Sequence, residues 1–542
     1  MVHIILNNKL RGKFTNSFHA LLENMKICIL AAGKGTRMGS ICKNINKSLL
    51  PLNDKAIISH IIEKFSKKDS FVIGLGYKGE QVKSYLKTAH PDKKFEFVNI
   101  KNFDGKGSGP GLSLLSCRNH LREPFIFLPC DCLFSDKLEN QYDKNWIGIS
   151  KVIVDESTQY CNVAIKNKSV VDIRDKVKSN KNYYAFTGLL FVKDYKKFWS
   201  GLQKNIMIKK EHQVSNGLAE LMKASGLMAK KIKWDDIGDL KKYQKIQKQF
   251  DSKSIAKTNE FIYFINDKVI KFFSDEKIVE KRVKKTKTKP RIFPKVKRAG
   301  KNFYWYELWE GDSFYSCGTP SLFKKLLNWL DEKVWTDSKT DPRVIRHLCR
   351  DFYYKKTMSR VSLFLKENPN FKFPKYVNGK NIPPLEKLLD QIPWTKLFEG
   401  IPSFIHGDLQ FQNILYNQKT DKFLLIDWRQ DFAGNITVGD LYYDLAKLYG
   451  GIIMNYDHIM KDLYDFQQNG NKVTVNLNRW KDDVNYQKIL DDYISQKNFN
   501  FKKIRLLVGL IYINMAALHH SPFNFALITL GSSIIFDVLN EE

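Results

Sequence analysis

Phe404-Ile405-His406-Gly407-Asp408-Leu409-Gln410-Phe411-Gln412-Asn413-Ile414-Leu415, followed by Phe423-Leu424-Leu425-Ile426-Asp427-Trp428, decides how the second half of this chain is read. Phosphoryl transfer asks little covalent chemistry of a protein. It needs one carboxylate to take the proton of an attacking hydroxyl and oxygen ligands to hold Mg²⁺ against nucleotide phosphates. Asp408 and Asn413 stand in D-x-x-x-x-N spacing, and Asp427 ends an apolar, strand-like run where a second metal-binding carboxylate belongs. Without that chemistry, His-Gly-Asp is only a turn and Asp427 only a strand end. Three groups of the right type in the right order favour the site.

These residues resemble the aminoglycoside phosphotransferase and choline kinase superfamily, whose H-x-D-x-x-x-x-N and I-D-W/F signatures match His406–Asn413 and Ile426-Asp427-Trp428. The resemblance implies Asp408 as catalytic base, with Asn413 and Asp427 holding magnesium. Asp440-Leu441-Tyr442-Tyr443-Asp444-Leu445-Ala446 is similar to the family's downstream G-D-P-x-x-D-L-A element, and Asp444 is expected to orient the catalytic loop.

The surrounding chain has 542 residues, enough for two to four domains, and 43% of them are hydrophobic. It can therefore bury real cores. The net charge of +32 suits nucleic acid, a membrane surface or phosphorylated substrates, but the Lys, Asn and Ile excess runs throughout and reads first as compositional bias. Eight cysteines show no C-x-x-C pair, which points to reduced thiols in a cytoplasmic protein rather than to zinc or a disulfide framework. No apolar run reaches the length of a bilayer span, and residues 1–24, lacking a signal-peptide core, read as an N-terminal extension.

Lys26–Ala32 is a mostly apolar run that ends in Gly33-Lys34-Gly35-Thr36-Arg37-Met38-Gly39. A buried strand feeding a glycine-rich loop is the α/β arrangement for phosphate binding: glycines let backbone N–H groups reach the oxygens, and Arg37 adds charge. The G-x-G-x-x-x-G spacing is neither the dinucleotide fingerprint nor the Walker A motif. Further along, Phe125–Asp131 is a second apolar run ending in a carboxylate, which parallel sheets place at the ligand-binding edge. Gly105–Gly111 by itself reads as a flexible glycine turn.

Ala31–Met38, followed by Asn46-Lys47-Ser48-Leu49-Leu50-Pro51-Leu52, resembles the nucleotidyltransferases that make nucleotide-activated sugars and CDP-choline, with L-A-A-G-x-G-T-R-(M/L) followed by P-K-x-L-L-P. The family proline is Asn46 here. By that resemblance Gly33, Gly35, Thr36 and Arg37 wrap the NTP triphosphate, Lys47 contacts phosphate, Arg37 and Lys47 take part in catalysis, and Gly109 lies at the nucleobase. Asp131 and the Asp236 of Trp234-Asp235-Asp236-Ile237-Gly238 are implied as Mg²⁺ ligands. Lys176 and Gly188 are implied at the substrate, a sugar-type feature. Cys130 and Cys132 flank Asp131 and are read as packing residues.

Residues 251–260 read as a linker. Phe261–Phe273 then reads as a hairpin whose Lys271 occupies the phosphate-pairing lysine position of kinase-like folds, with Glu276 or Glu280 as its partner. The basic run Lys281–Lys301 reads as a solvated helix end and loop, with RNA binding as the alternative. Tyr304–Gly311 resembles an adenine-binding hinge. Two apolar stretches, Leu506–Leu518 and Phe525–Leu539, read as helices of the C-terminal lobe.

The resulting expectation is an α/β chain: a Rossmann-like, GT-A-like nucleotidyltransferase domain over 25–250, then a two-lobed, α+β, protein-kinase-like domain over 261–542. The resemblances imply a bifunctional enzyme that phosphorylates a small hydroxyl compound with ATP and couples the phosphate to an NMP from a second NTP (CTP, UTP or GTP). Its product would be a nucleotide-activated sugar or CDP-alcohol for capsule or lipopolysaccharide synthesis. Only one active half, or a basic RNA nucleotidyltransferase, are the alternatives.

Overall fold

The computed structural model describes residues 24–136, 142–204, 206–250, 259–459, 461–478 and 480–541. They fall into two compact units: one runs to Glu276 and takes back Lys297–Leu308, and the other holds Lys277–Val296 and the chain from Trp309 onward. The expected extension over 1–24, apart from Asn24, and residues 251–258 of the expected linker lie outside the described residues.

Lys26–Ala31 is the third strand of a nine-stranded mixed sheet. Lys94–Asn99, Ser70–Leu75, Lys26–Ala31 and Phe125–Pro129 lie in that order and run parallel, with Ile29 opposite both Ile73 and Leu128. Alternate residues bury into different cores: Ile27, Ile29 and Ala31 join one apolar cluster, while Cys28, Leu30 and Ala32 join another. Burial on both faces is what a parallel sheet requires, and it explains the unbroken apolar run in the sequence. Tyr183–Val192 then pairs antiparallel with Phe125–Pro129 and continues the sheet. The ends of Lys26–Ala31 and Phe125–Pro129 are neighbours, so Gly33–Arg37 and Asp131 leave the sheet together.

The predicted hairpin forms as Glu260–Ile265 and Lys268–Phe273, completed by Phe303–Glu307 and Lys297–Ala299 into a four-stranded antiparallel sheet. Its allegiance differs from the sequence-based boundary. Phe261, Tyr263, Ile265, Ile270, Phe272 and Phe303 belong to the same apolar cluster as Ile27 and Ile29. Tyr263 packs on Tyr85 with ring centroids 4.9 Å apart and donates its hydroxyl to Leu49 O at 2.6 Å, and Lys268 Nζ donates to Thr88 O at 2.9 Å. Sheet alternation announced two faces to cover but not which neighbour would cover them.

In the other unit, Ile414–Asn417 and Lys422–Leu425 form a hairpin that carries the predicted catalytic segment, with Asp312–Ser313 on its edge. Helix Leu441–Ile453 is capped by Asp440, which accepts from Tyr442 N at 3.2 Å, and packs against helix Phe501–Ala516. That helix crosses Phe523–Asn540 closely at Gly509 and Gly531, where an added Cβ on either glycine would meet the other's carbonyl oxygen at 2.8 or 2.6 Å. Phe523–Asn540 is long and apolar enough to cross a membrane, yet 61% of it is buried inside the protein, as in a core helix.

Candidate active sites

In the first unit the glycine loop ends in a 3₁₀ turn, Thr36–Cys42, anchored by buried Met38 and Ile41. Gly35 has φ +67°, and a Cβ there would press on Lys47 Cβ at 3.2 Å. Gly33, Thr36 and Arg37 remain exposed, so their backbone faces outward from a fixed base. Asn46, where the family has proline, is fully buried. Its Nδ2 donates to Ala31 O at 2.9 Å and Tyr77 O at 2.6 Å, and its Oδ1 accepts from Ser48 N at 2.9 Å. It thereby fastens the strand end to the short turn Lys47–Leu49.

Lys47 Nζ reaches Asp131 Oδ2 at 2.6 Å. Burial pulls the Lys47 ammonium down, but Asp131 more than reverses this and holds it above its ordinary value. The carboxyl is the mirror case: burial raises it, while Lys47 and then Arg37 hold it below the usual range. Trp234–Asp236 pairs antiparallel with Cys132–Phe134, placing Asp236 opposite Cys132, and Ile237 N donates to Asp131 O at 3.3 Å. The two predicted carboxylates therefore sit on adjoining backbone. Burial pushes the Cys132 thiol up, and Asp131 and Asp236 push it further; its side chain packs in the apolar cluster that holds Ile27 and Ile29. Asp236 Oδ2 also accepts from Tyr160 Oη at 2.8 Å and Lys242 Nζ at 2.7 Å.

Gly188 (φ +97°) lies where an added Cβ would strike Pro129 Cδ at 2.6 Å, directly under the strand that leads to Asp131. Gly109 (φ +131°) is pressed against the backbone of His212, so the Gly105–Gly111 loop is a pinned element. Lys176 Nζ forms an ion pair with Glu211 Oε2 at 2.6 Å, and Glu211 Cβ is 3.2 Å from where a Gly109 Cβ would be. Lys176 and Gly109 thus meet through Glu211, a residue with no motif to announce it. Lys271 is fully buried in the four-stranded sheet of this same unit, and Glu276 pairs with Lys301 at 3.8 Å.

In the second unit, helix Leu441–Ile453 holds the catalytic segment from beneath. Asp444 accepts from His406 N (Oδ2) and Gly407 N (Oδ1), each at 2.7 Å, and from Trp335 Nε1 at 3.2 Å. These bonds order the loop, as its position downstream implied. His406 is fully buried. Its Nδ1 accepts from Asp408 N at 3.2 Å, so the proton resides on Nε2, which faces Ile426 O at 2.9 Å. Burial pushes this imidazole down to about 3, keeping it neutral. Asn413 Nδ2 donates to Asp408 O at 2.9 Å and approaches Asp408 Oδ2 at 3.4 Å. Ile426 N donates to Asn413 O at 2.9 Å, joining the loop to the strand that ends at Asp427.

Two cations hold these carboxylates, and neither had a motif. Lys447 Nζ lies 2.7 Å from Asp408 Oδ1. Burial raises the Asp408 carboxyl, but Lys447 outweighs it and the group stays below its ordinary value. Arg282 Nη1 lies 3.4 Å from Asp427 Oδ1. The basic run also departs from its reading as a solvated surface. Lys281 pairs with Asp431 at 2.7 Å, and Lys285, only 2% exposed, donates to Arg429 O at 2.9 Å. The helix Glu276–Thr288 turns this charged face inward because the catalytic segment offers carboxylates and carbonyls there.

Among the described residues no cluster of three or more His, Cys, Asp or Glu side chains could hold a metal. Each site instead offers two oxygen donors, Asp131 with Asp236 and Asn413 with Asp427. Such pairs suit Mg²⁺, which takes few protein ligands and completes its octahedron with phosphates and water. Because the Asn413 amide nitrogen is committed to Asp408, its Oδ1 is the atom left to face an ion.

Residues 27–140 match the MobA-like NTP transferase domain, and residues 373–464 match the phosphotransferase enzyme family. The "Bifunctional protein GlmU" of Methanococcus vannielii is 28% identical over 223 residues, covering 40% of this chain and 52% of that protein. A probable glucose-1-phosphate cytidylyltransferase of Bacillus subtilis is 41% identical over 64 residues, 11% of this chain and 25% of that one. The "Bifunctional IPC transferase and DIPP synthase" of Archaeoglobus fulgidus is 27% identical over 179 residues, 32% and 33% respectively. The chain spans about half the length of the first of these relatives. Gly33, Lys47 and Asp131 fall inside the first matched region, and Asp408, Asn413, Asp427, Asp444 and Lys447 inside the second. This chain accordingly joins a segment of the MobA-like NTP transferase domain to a segment of the phosphotransferase enzyme family.

Proposed function

We propose that the two domains catalyse consecutive steps: the second phosphorylates a small hydroxyl compound with ATP, and the first couples that phosphate to an NMP from a second NTP. The reading is carried by one observation, the presence in one chain of a phosphotransferase-family segment and an NTP transferase segment, each with a carboxylate held by a lysine, Asp408 by Lys447 and Asp131 by Lys47. In the first step the acceptor hydroxyl loses its proton to Asp408 as its oxygen bonds to the γ-phosphorus, and the bond to ADP breaks. Asn413 Oδ1 and Asp427 would hold Mg²⁺. In the second step an oxygen of the new phosphate bonds to the α-phosphorus of the NTP and pyrophosphate leaves. Arg37 and Lys47 would hold the triphosphate, with Asp131 and Asp236 as the Mg²⁺ donors. The ion, when bound, neutralises charge on the phosphates in both steps.

Lys176 and Gly188, read as substrate residues, and the relative named a probable glucose-1-phosphate cytidylyltransferase favour a sugar-type product over a CDP-alcohol. A role in capsule or lipopolysaccharide synthesis follows from that product class. The RNA-binding alternative loses part of its motivation, because Lys281, Arg282 and Lys285 direct their charge to the catalytic segment.

The purified chain, given Mg²⁺, ATP, each NTP in turn and a panel of hydroxyl compounds, should release pyrophosphate and form a product of the summed mass. Asp408→Asn should abolish this unless the phosphorylated acceptor is supplied, whereas Asp131→Asn should let that phosphorylated acceptor accumulate. Intact coupled turnover in either variant would refute the two-step reading.

A further inference from the structure

Beside Asp408 the second unit gathers more positive charge than its carboxylates can account for. Helix Leu441–Ile453 presents Tyr443 and Lys447 on one face, four residues apart. Lys447 takes Asp408, and Tyr443 packs edge-on against Phe352 at 4.8 Å. Two further cations lie on that same Phe352 ring: Lys356 Nζ at 4.1 Å from its centroid and the Arg429 guanidinium at 4.9 Å. Lys356 also stands 5.7 Å from the Tyr443 ring. Arg429 is packed against the loop itself, since a Cβ on Gly407 would meet Arg429 Cβ at 2.7 Å.

Among the described residues neither Lys356 nor Arg429 has a carboxylate within 4 Å, and Arg429 Nε is buried with no hydrogen-bond partner. Burial pushes the Lys356 ammonium well below its ordinary value, Arg429, Lys447 and Arg360 push it further, and Asp408 offsets this only in part. Cations held together in a half-buried aromatic pocket, where the nearby Asp408 is already paired with Lys447, are unfavourable unless a further anion binds there. Lys356 also directly follows the wide π-helical turn Arg350–Lys355, a distortion frequent at functional sites.

Resting on the phosphotransferase reading above, we propose that the acceptor of this domain carries an anionic group, a carboxylate or phosphate, which Lys356 and Arg429 bind while its hydroxyl faces Asp408. The same pair would repel a cationic acceptor such as a quaternary amino alcohol. The rival source of the anion is the transferred γ-phosphate of ATP.

Both questions are settled with the full chain by ADP release at saturating Mg²⁺, using matched sets that differ only in charge: glucose, glucuronate and glucosamine, and glycerol, glycerate and 2-aminopropane-1,3-diol. The anionic member of a set should lead in kcat/KM by about tenfold or more. Lys356→Met and Arg429→Met should each raise the KM for that acceptor by about tenfold while the KM for ATP stays within about twofold, and Lys356→Arg should restore most of the loss. A preference for neutral or cationic members, which needs no variant to fold, would overturn the proposal. So would a rise in the KM for ATP alone, which would assign the cluster to the nucleotide. ADP release with no member of any charge would instead remove the phosphotransferase reading, and this proposal with it.

Discussion

The two sites answer the same electrostatic problem with different architecture. Each sets two oxygen-bearing acids close together, and each gives every acid a cation: Lys47 with Asp131 and Lys242 with Asp236 in front, Lys447 with Asp408 and Arg282 with Asp427 behind. The front lysine comes from the turn after the glycine loop and stands where triphosphate is expected. The rear lysine comes from within a core helix, beneath the loop. Lys47 is therefore placed to exchange its carboxylate for substrate, whereas Lys447 is placed to keep Asp408 ionised and aimed.

That difference is sharpest under matched substitutions. Lys47→Met should lower pyrophosphate release about a hundred- to a thousandfold, as expected for loss of a charge aimed at reacting phosphates. Lys447→Met should lower phosphorylation of the acceptor only about tenfold, as for a group that acts through the base. It should also move the acid limb of the pH–rate profile upward, because the charge that holds the Asp408 carboxyl down is gone. Equal losses without a shift of the profile would erase the distinction between the two lysines.

The next contrast is steric. Both sites set a glycine with positive φ against the backbone that delivers a carboxylate: Gly188 at +97° over Pro129, and Gly407 at +84° over Arg429. Alanine at either place needs an unfavourable backbone and meets a side-chain carbon under 3 Å away. Each change should cost about 2–3 kcal/mol by denaturant titration, and each should reduce only its own half-reaction. Loss of both half-reactions in either variant would mean that the two folds do not stand independently.

Acid should separate the halves less strongly. His406 is held down to about 3 and His90, in the first unit, to about 4, in both cases by burial first. A histidine depressed in the fold takes up a proton in the unfolded chain below about pH 6.5. Its stabilisation is therefore complete above that pH and is lost as the pH falls toward the folded value. Between pH 7 and pH 5 each should lower stability by about 2 kcal/mol. The His90 ring hydrogen-bonds Ser59 Oγ at 2.9 Å, whereas protonating His406 at Nδ1 would release the N–H of Asp408. Because His406 is protonated in the fold only at about 3 and His90 already at about 4, pyrophosphate release should fail at a slightly higher pH than acceptor phosphorylation.

Legibility in the sequence followed the range of the interactions. Gly33–Met38, Asp408–Asn413 and Asp427 were readable because the chemistry fixes them within a few residues of one another, and both fold classes followed from those segments and their apolar strands. Tyr160, Arg282 and Glu211 were not readable, because each reaches its partner from a distant segment through packing alone; Lys242, six residues past Asp236, was missed because no motif residue marks it. Lys447 lies between these cases: three residues past Asp444, it follows once that element is read as a helix beneath the loop. The four-stranded sheet was legible as a hairpin and illegible as part of the first unit, since alternation gives a strand two faces without naming what will cover them.

Asn46 gives the smallest effect and tests how far family pattern can replace local bonding. Its φ of −67° is one that proline adopts freely, so Asn46→Pro introduces no backbone strain at that residue. What proline removes is the N–H given to Gln81 Oε1 at 3.2 Å and the side-chain bonds to Ala31 O, Tyr77 O and Ser48 N. Part of that loss is offset by the stiffer unfolded chain. A net cost of about 1–2 kcal/mol is expected, with a KM for the NTP raised severalfold because Lys47 follows directly. If the proline variant melted at or above the temperature of the parent and kept its KM, the buried amide would be an incidental substitute rather than the fastening of the Lys47 turn to the sheet.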